Sequence, residues 1–156
     1  RHEYESSQRF IQLRRVRWVG AMMIGITTVI HATVCDFVFR FVENYGNKHR
    51  HSAGHLRKIM ALVFSVFCIG FAIMIYIWLW TLLFYHLEGT VLKDFETALY
   101  FTTITFTTVG FGDVVLSPEW RLLSASTAIN GMIMFGWSTA FIFEIMSTLY
   151  KPMDKK

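Results

Sequence analysis

Charge is scarce in this sequence: 17% of its 156 residues are Asp, Glu, Lys or Arg, against roughly 25% in soluble domains. That scarcity excludes an ordinary soluble chain. Cysteine occurs twice, as Cys35 and Cys68, both inside apolar stretches. Two buried free thiols are expected there, so a disulfide framework is excluded. No internal repeat is visible, and no soluble domain. No arginine recurs at every third position, which excludes a voltage-sensing helix. No Ser/His/Asp, Cys/His or metal-hydrolase grouping is present, so no enzyme is expected. The first apolar run lacks a small-residue cleavage site and follows a basic segment, unlike a signal peptide. The chain opens on Arg1, so translation is expected to start earlier.

What is abundant is apolar surface. Hydrophobic residues make up 54% and aromatics 17%, with a mean hydropathy of +0.42. Three stretches are long enough to cross a hydrocarbon core of about 30 Å. The chain therefore reads as an integral membrane protein of all-α class. A basic segment at 1–17, holding Arg9, Arg14, Arg15 and Arg17, precedes a first membrane helix at 18–42. A polar, basic linker at 43–57 leads to a second helix at 58–87, which ends in the aromatic cluster Trp78, Trp80, Phe84 and Tyr85. Such aromatics favour the headgroup level. A shorter helix at 94–106 starts at the N-cap Asp94, with Glu96 in its first turn. After a loop at 107–113 and the breaker Pro118, a last helix runs over 120–150. The net charge of +4 is spread over the ends and the linker. It reads as topology signal and contact with anionic lipid, not as a nucleic-acid surface.

The helix at 94–106 is too short to span and is followed at once by Gly110-Phe111-Gly112. Such a segment can dip into a membrane only where protein or water satisfies its backbone. A cation stripped of water needs substitute oxygens, and backbone carbonyls of an extended segment supply them if successive ones face one axis. That conformation requires residues tolerant of unusual φ at alternate positions, which Gly110 and Gly112 provide. Val109 and Phe111 then pack behind the segment, and Thr108 adds a hydroxyl oxygen at its inner end. One such loop per chain cannot close a pathway, so a homotetramer of cyclic symmetry is expected.

The run Thr107-Thr108-Val109-Gly110-Phe111-Gly112-Asp113 resembles the potassium-channel filter signature at every position. Phe111 replaces the more common Tyr, a variant known in inward rectifiers and two-pore-domain channels. The resemblance covers about residues 58–150. More narrowly, the stretch from Asp94 into the loop, then Ser117-Pro118-Glu119-Trp120-Arg121 and Gly136-Trp137-Ser138, looks like a group of small bacterial potassium-channel family proteins. Those carry one additional helix before a two-helix pore, with a histidine in it like His31. The resemblance implies a potassium-selective pore that binds K⁺ at Thr108, Val109, Gly110, Phe111 and Gly112 and needs no other cofactor. It implies support from Thr107, Asp113 and Tyr100, the tyrosine hydroxyl holding Asp113. Ile104 stands where some relatives carry a Glu paired to that Asp, so that brace is missing. It also implies the plasma (inner) membrane of a bacterium.

The remaining candidates are weaker. Gly131 and Gly136 are candidate bends, since glycine weakens a helix, although small residues also allow tight packing; a hinge is expected at Gly131 and packing at Gly136. Gly131 lies near the hinge glycine of the resembled family. Glu144 is the single acidic residue of the last helix, a candidate inner-mouth charge or an interfacial ion pair. Asp36 and Arg40, four apart, can pair; His31 is a structural histidine or one that titrates near neutral pH. His49, His51 and His55 read as a solvated basic linker rather than a metal site. Orientation is in tension: a filter on the outside leaves the arginines of 1–17 outside too, against the positive-inside expectation. A first helix that does not span fully, or a spanning segment before Arg1, would relieve it. The rival readings are a weakly selective cation channel and a non-conducting, pore-like sensor or accessory subunit.

Overall fold

In hydrocarbon every backbone amide must bond within the protein, and a continuous helix does so segment by segment. The apolar runs accordingly form helices. The computed structural model describes residues 2–48 and 55–150, with side chains from 10–44 and 55–150. Its elements are α1 (His2–Lys48), α2 (His55–Leu87), α3 (Phe95–Phe106) and α4 (Arg121–Tyr150), and no strand occurs among the described residues. Three of these helices are long and apolar enough to cross a membrane, over Phe10–Asn44, His55–Leu87 and Arg121–Tyr150. The protein is an all-α membrane protein.

The first helix differs most from the sequence pattern. The sequence divides a basic segment at 1–17 from a membrane helix at 18–42, and α1 runs from His2 without a break at that boundary. Arginine is a good helix former, and nothing between Glu3 and Trp18 breaks a helix. The linker is likewise shorter than expected: α1 runs on to Lys48 and α2 begins at His55. The α3 start falls where expected, because the Asp94 carboxylate accepts from the Thr97 amide (2.8 Å) and the Thr97 hydroxyl (2.8 Å). These bonds hold Asp94 below the ordinary carboxylate value.

The helices form two compact units, described separately: one of α1 up to Thr28 with Ile75–Ile133, the other of α1 from Val29, α2 up to Met74 and α4 from Met134. Along α1 the buried residues are Val16, Gly20, Met23, Thr27, His31, Cys35, Val38 and Val42. The spacing of three and four marks one helix face. That face is small and polar in its middle, whereas Trp18, Met22, Ile26, Val29 and Phe37 are exposed. In lipid the apolar face turns outward, and close helix approach selects small residues inside.

In the first unit, α1 meets α4 at two levels. A Cβ on Gly20 would lie 2.7 Å from Ser126 Oγ, and Thr27 is hydrogen bonded to Asn130. The paired positions advance together along both helices, so α1 and α4 run in the same direction there. One residue on, a Cβ at Gly131 would lie 1.8 Å from the Phe106 carbonyl oxygen at the end of α3. Only glycine permits this approach, which seats α3 against α4. In the second unit, Val38, Val42 and Ile145 form a buried cluster with Leu62, Cys68 and Phe141 packed on it.

Gly131→Ala must push α4 off α3, and a loss of about 1–3 kcal/mol is expected from overpacking. Gly70, whose added Cβ meets nothing within 4 Å, is the control: Gly70→Ala should be neutral or slightly stabilising. Thermal midpoints of helix loss in detergent distinguish the two.

Candidate functional site

The site is built on the C-terminal end of α3. A helix end leaves its last carbonyls without intrahelical partners, and here the following loop folds back onto them. The amides of Thr107, Thr108 and Gly110 donate to the carbonyls of Thr103, Thr105 and Ile104, each at 3.0 Å. The Thr107 hydroxyl adds a bond to Thr103 O at 2.7 Å. The loop is therefore anchored from beneath by backbone bonds that any side chains could make. Its shape is set by φ.

Among the described residues, positive φ is confined to Thr108 (63°), Gly110 (50°) and Gly112 (79°). Every second residue of the loop thus takes the left-handed region. The two glycines accept this freely. Thr108, a β-branched residue, does not, and such a conformation costs about 1–3 kcal/mol. It persists because the Thr108 amide is held by Thr105 and the next anchor, at Gly110, lies two residues on. Val109 and Phe111 are exposed, at 53% and 71%. A cavity of about 330 Å³, lined in part by Ile104, Thr108, Gly110, Gly112, Leu116 and Ala128, lies beside the loop.

Two side-chain contacts hold the loop's outer end. Tyr100 Oη donates to Asp113 Oδ2 at 2.7 Å. That bond is the main reason the Asp113 carboxyl sits below its ordinary value. The second contact was not evident from the sequence. Glu88, just beyond α2, is 2% exposed. Its Oε2 accepts from the Ser117 amide (3.1 Å) and hydroxyl (2.5 Å), and its Oε1 from the Thr90 hydroxyl (2.6 Å). Burial pushes this carboxyl up, but the bonds from Ser117 and Thr90 outweigh it and the net shift is downward. Glu88 ties the end of α2 to the segment that returns from the loop to α4. No periodic signal joins positions 29 apart; the available clue was a carboxylate directly after a long apolar run.

The other sequence candidates lie apart from this group. Gly131 touches Phe106, the last residue of α3, whereas an added Cβ at Gly136 would meet nothing within 4 Å. The close approach at Gly131 is reason enough for glycine there. Glu144 is exposed and has no ion pair among the described residues. Arg40 Nε donates to Asp36 at 2.9 Å, an exposed pair on α1. His31 is fully buried, its ring 5.1 Å from that of Trp137. His55 packs on Tyr150 (6.2 Å), while His49 and His51 lie outside the described residues. Cys35 and Cys68 are free thiols. No group of three metal-ligating residues occurs among the described residues.

Two predictions follow from these contacts. Glu88→Ala leaves the Ser117 amide without its acceptor, at about 1.5–3 kcal/mol for bonds to a charged group, so hydrogen exchange at Ser117 should accelerate. Because the folded carboxyl is shifted down, its contribution is complete at neutral pH and is lost only as acid takes the pH through that lowered value. In Tyr100→Phe, the Asp113 carboxyl should return upward toward the ordinary range, seen by NMR titration. An unmoved Asp113 would show that the tyrosine hydroxyl does not stabilise the carboxylate.

Residues 71–148, half of the chain, match the family described as ion channel. The voltage-gated potassium channel Kch of Escherichia coli (strain K12) is 37% identical over 73 residues, which is 40% of this chain and 18% of that protein. The match thus spans less than a fifth of the relative's length. No solved structure matches. The matched stretch takes in the C-terminal half of α2, the short helix α3, its loop and most of α4, and through it this chain belongs to the ion-channel family.

Proposed function

We propose that four copies of this chain form a potassium-selective channel in the plasma membrane of a bacterium, conducting K⁺ passively through a shared axial pore. The observation that carries this reading is the alternation of left-handed φ at Thr108, Gly110 and Gly112 within Thr-Thr-Val-Gly-Phe-Gly-Asp. An extended segment whose carbonyls face one axis needs that alternation. In this reading K⁺ sheds water and is coordinated by oxygens of Thr108, Val109, Gly110, Phe111 and Gly112. Four copies close the ring that one loop cannot, and Val109 and Phe111, exposed on a single chain, pack between copies.

Thr107, Tyr100 and Asp113 brace the filter in this scheme. The C-terminal end of α3 carries the negative end of the helix dipole and favours a cation beneath the filter. Gly136 offers a point of flexure in α4. Gly131 does so only if α4 can part from Phe106. Glu144 in four copies makes an acidic inner mouth that concentrates cations. Arginines and lysines at the helix ends meet anionic lipid headgroups. The likeness to a protein named as a potassium channel supports the choice of ion.

The test is cation flux from liposomes holding the full chain, under a K⁺ gradient with Na⁺ or K⁺ outside. K⁺ should pass and Na⁺ should be refused, and Gly110→Ala, which places a Cβ at a φ of 50°, should abolish the flux. Equal passage of both ions would overturn the selectivity, and a silent wild type would overturn conduction.

A further inference from the structure

A pore of two spanning helices and a re-entrant loop has no evident need of α1, yet a fully buried polar residue of α4 is turned toward it. Asn130 and Thr27 are both 0% exposed. Asn130 Nδ2 donates to Thr27 Oγ1 at 2.9 Å, and the Thr27 hydroxyl has Met23 O and Ile24 O at 3.0 Å and Asn130 Oδ1 at 3.1 Å. The hydroxyl has one proton for these three acceptors, so it donates to one of them while accepting from the Asn130 amide. Apolar helices in lipid can slide or rotate past one another at little cost, whereas a buried amide on a hydroxyl fixes one register.

The neighbour in sequence makes the location matter. Successive residues of a helix point about 100° apart, so Asn130 and Gly131 look out of α4 in different directions. Asn130 meets α1, and Gly131 meets the Phe106 carbonyl at the base of the loop. One turn earlier, Gly20 and Ser126 bring α1 and α4 into close approach on the same side. A rotation or bend of α4 at this level must either break the Thr27 bond or carry α1 with it. Within this unit α4 is clamped between α1 and the end of α3.

We propose that Thr27 is a positioning residue for conduction: through Asn130, α1 holds α4 in one rotation against the end of α3 and thereby sets how often the pore conducts. The inference rests on the channel reading, and its test separates the two. Single-channel currents of the full chain in planar bilayers are compared for wild type, Thr27→Ser, Thr27→Val, Asn130→Leu and the Thr27→Val/Asn130→Leu pair. A wild type without current is a failure of the channel reading.

With wild-type current present, Thr27→Val and Asn130→Leu should each change open probability about fivefold or more, the scale of a typical coupling between sites. Current through a single open pore and the preference for K⁺ should not move, since neither residue lies in the loop. Thr27→Ser, which retains the hydroxyl, should restore wild-type behaviour. The double variant should differ from wild type by less than the product of the single effects, because the same bond is removed twice. Wild-type open probability in both single variants overturns the proposal, as do single effects that multiply. If Thr27→Val does not assemble in the bilayer, Thr27→Ala is read by the same criteria. A loss of single-pore current in place of open probability would also overturn it.

Discussion

A short helix packed among long apolar ones has to find partners for its last carbonyls inside the protein, because apolar surroundings offer none. In this chain the requirement falls on α3, and the answer organises much of what surrounds it. The loop that follows turns back so that its own amides take three of those carbonyls. This return forces the backbone through alternate left-handed positions, and one of them falls on a threonine. The carbonyl of Phe106 faces α4 at a distance that only glycine tolerates. The glycines at 110, 112 and 131 thus meet linked demands, two for φ and one for space.

Above the loop, carboxylates play the complementary part. Asp94 caps the start of α3, Asp113 receives Tyr100, and Glu88 gathers Ser117 and Thr90. Asp94 and Glu88 accept from backbone amides next to helix starts, those of Thr97 and Ser117, whereas Asp113 accepts from a side-chain hydroxyl in the middle of α3. Glu88 is the most enclosed of the three, and it accepts through both of its oxygens. A short helix and loop held at one end by amides and at the other by carboxylates can be well ordered without a large apolar core of their own.

Much of this was legible in the sequence, and the omissions have physical causes. The spans followed from length and hydropathy, α3 from Asp94 and the glycine-containing loop after it. The Tyr100–Asp113 contact came from family resemblance, since no local rule connects a helix residue to one 13 positions on. The partners of Glu88 leave no mark in the sequence, because they lie across a turn and a loop, where no period exists. The buried face of α1 was hidden for a different reason. Sequence patterns for soluble helices equate apolar with inside, and here the inner stripe holds Gly20, Thr27 and His31 while the outer holds Trp18, Ile26 and Phe37. The boundary drawn at Trp18 marks a change in polarity and not in backbone, since arginine favours a helix and α1 starts at His2.

The bond between α1 and α4 joins residues 103 apart, which bears on how the chain is made. Synthesis delivers α1 to the bilayer long before α4 exists. Thr27 tolerates the wait, because its hydroxyl can return to the carbonyls of Met23 and Ile24 on its own helix. Asn130 is made later, and in the folded chain its amide donates to Thr27 Oγ1. A bond between the two helices can form only once both are made, and until then Thr27 has acceptors on its own helix.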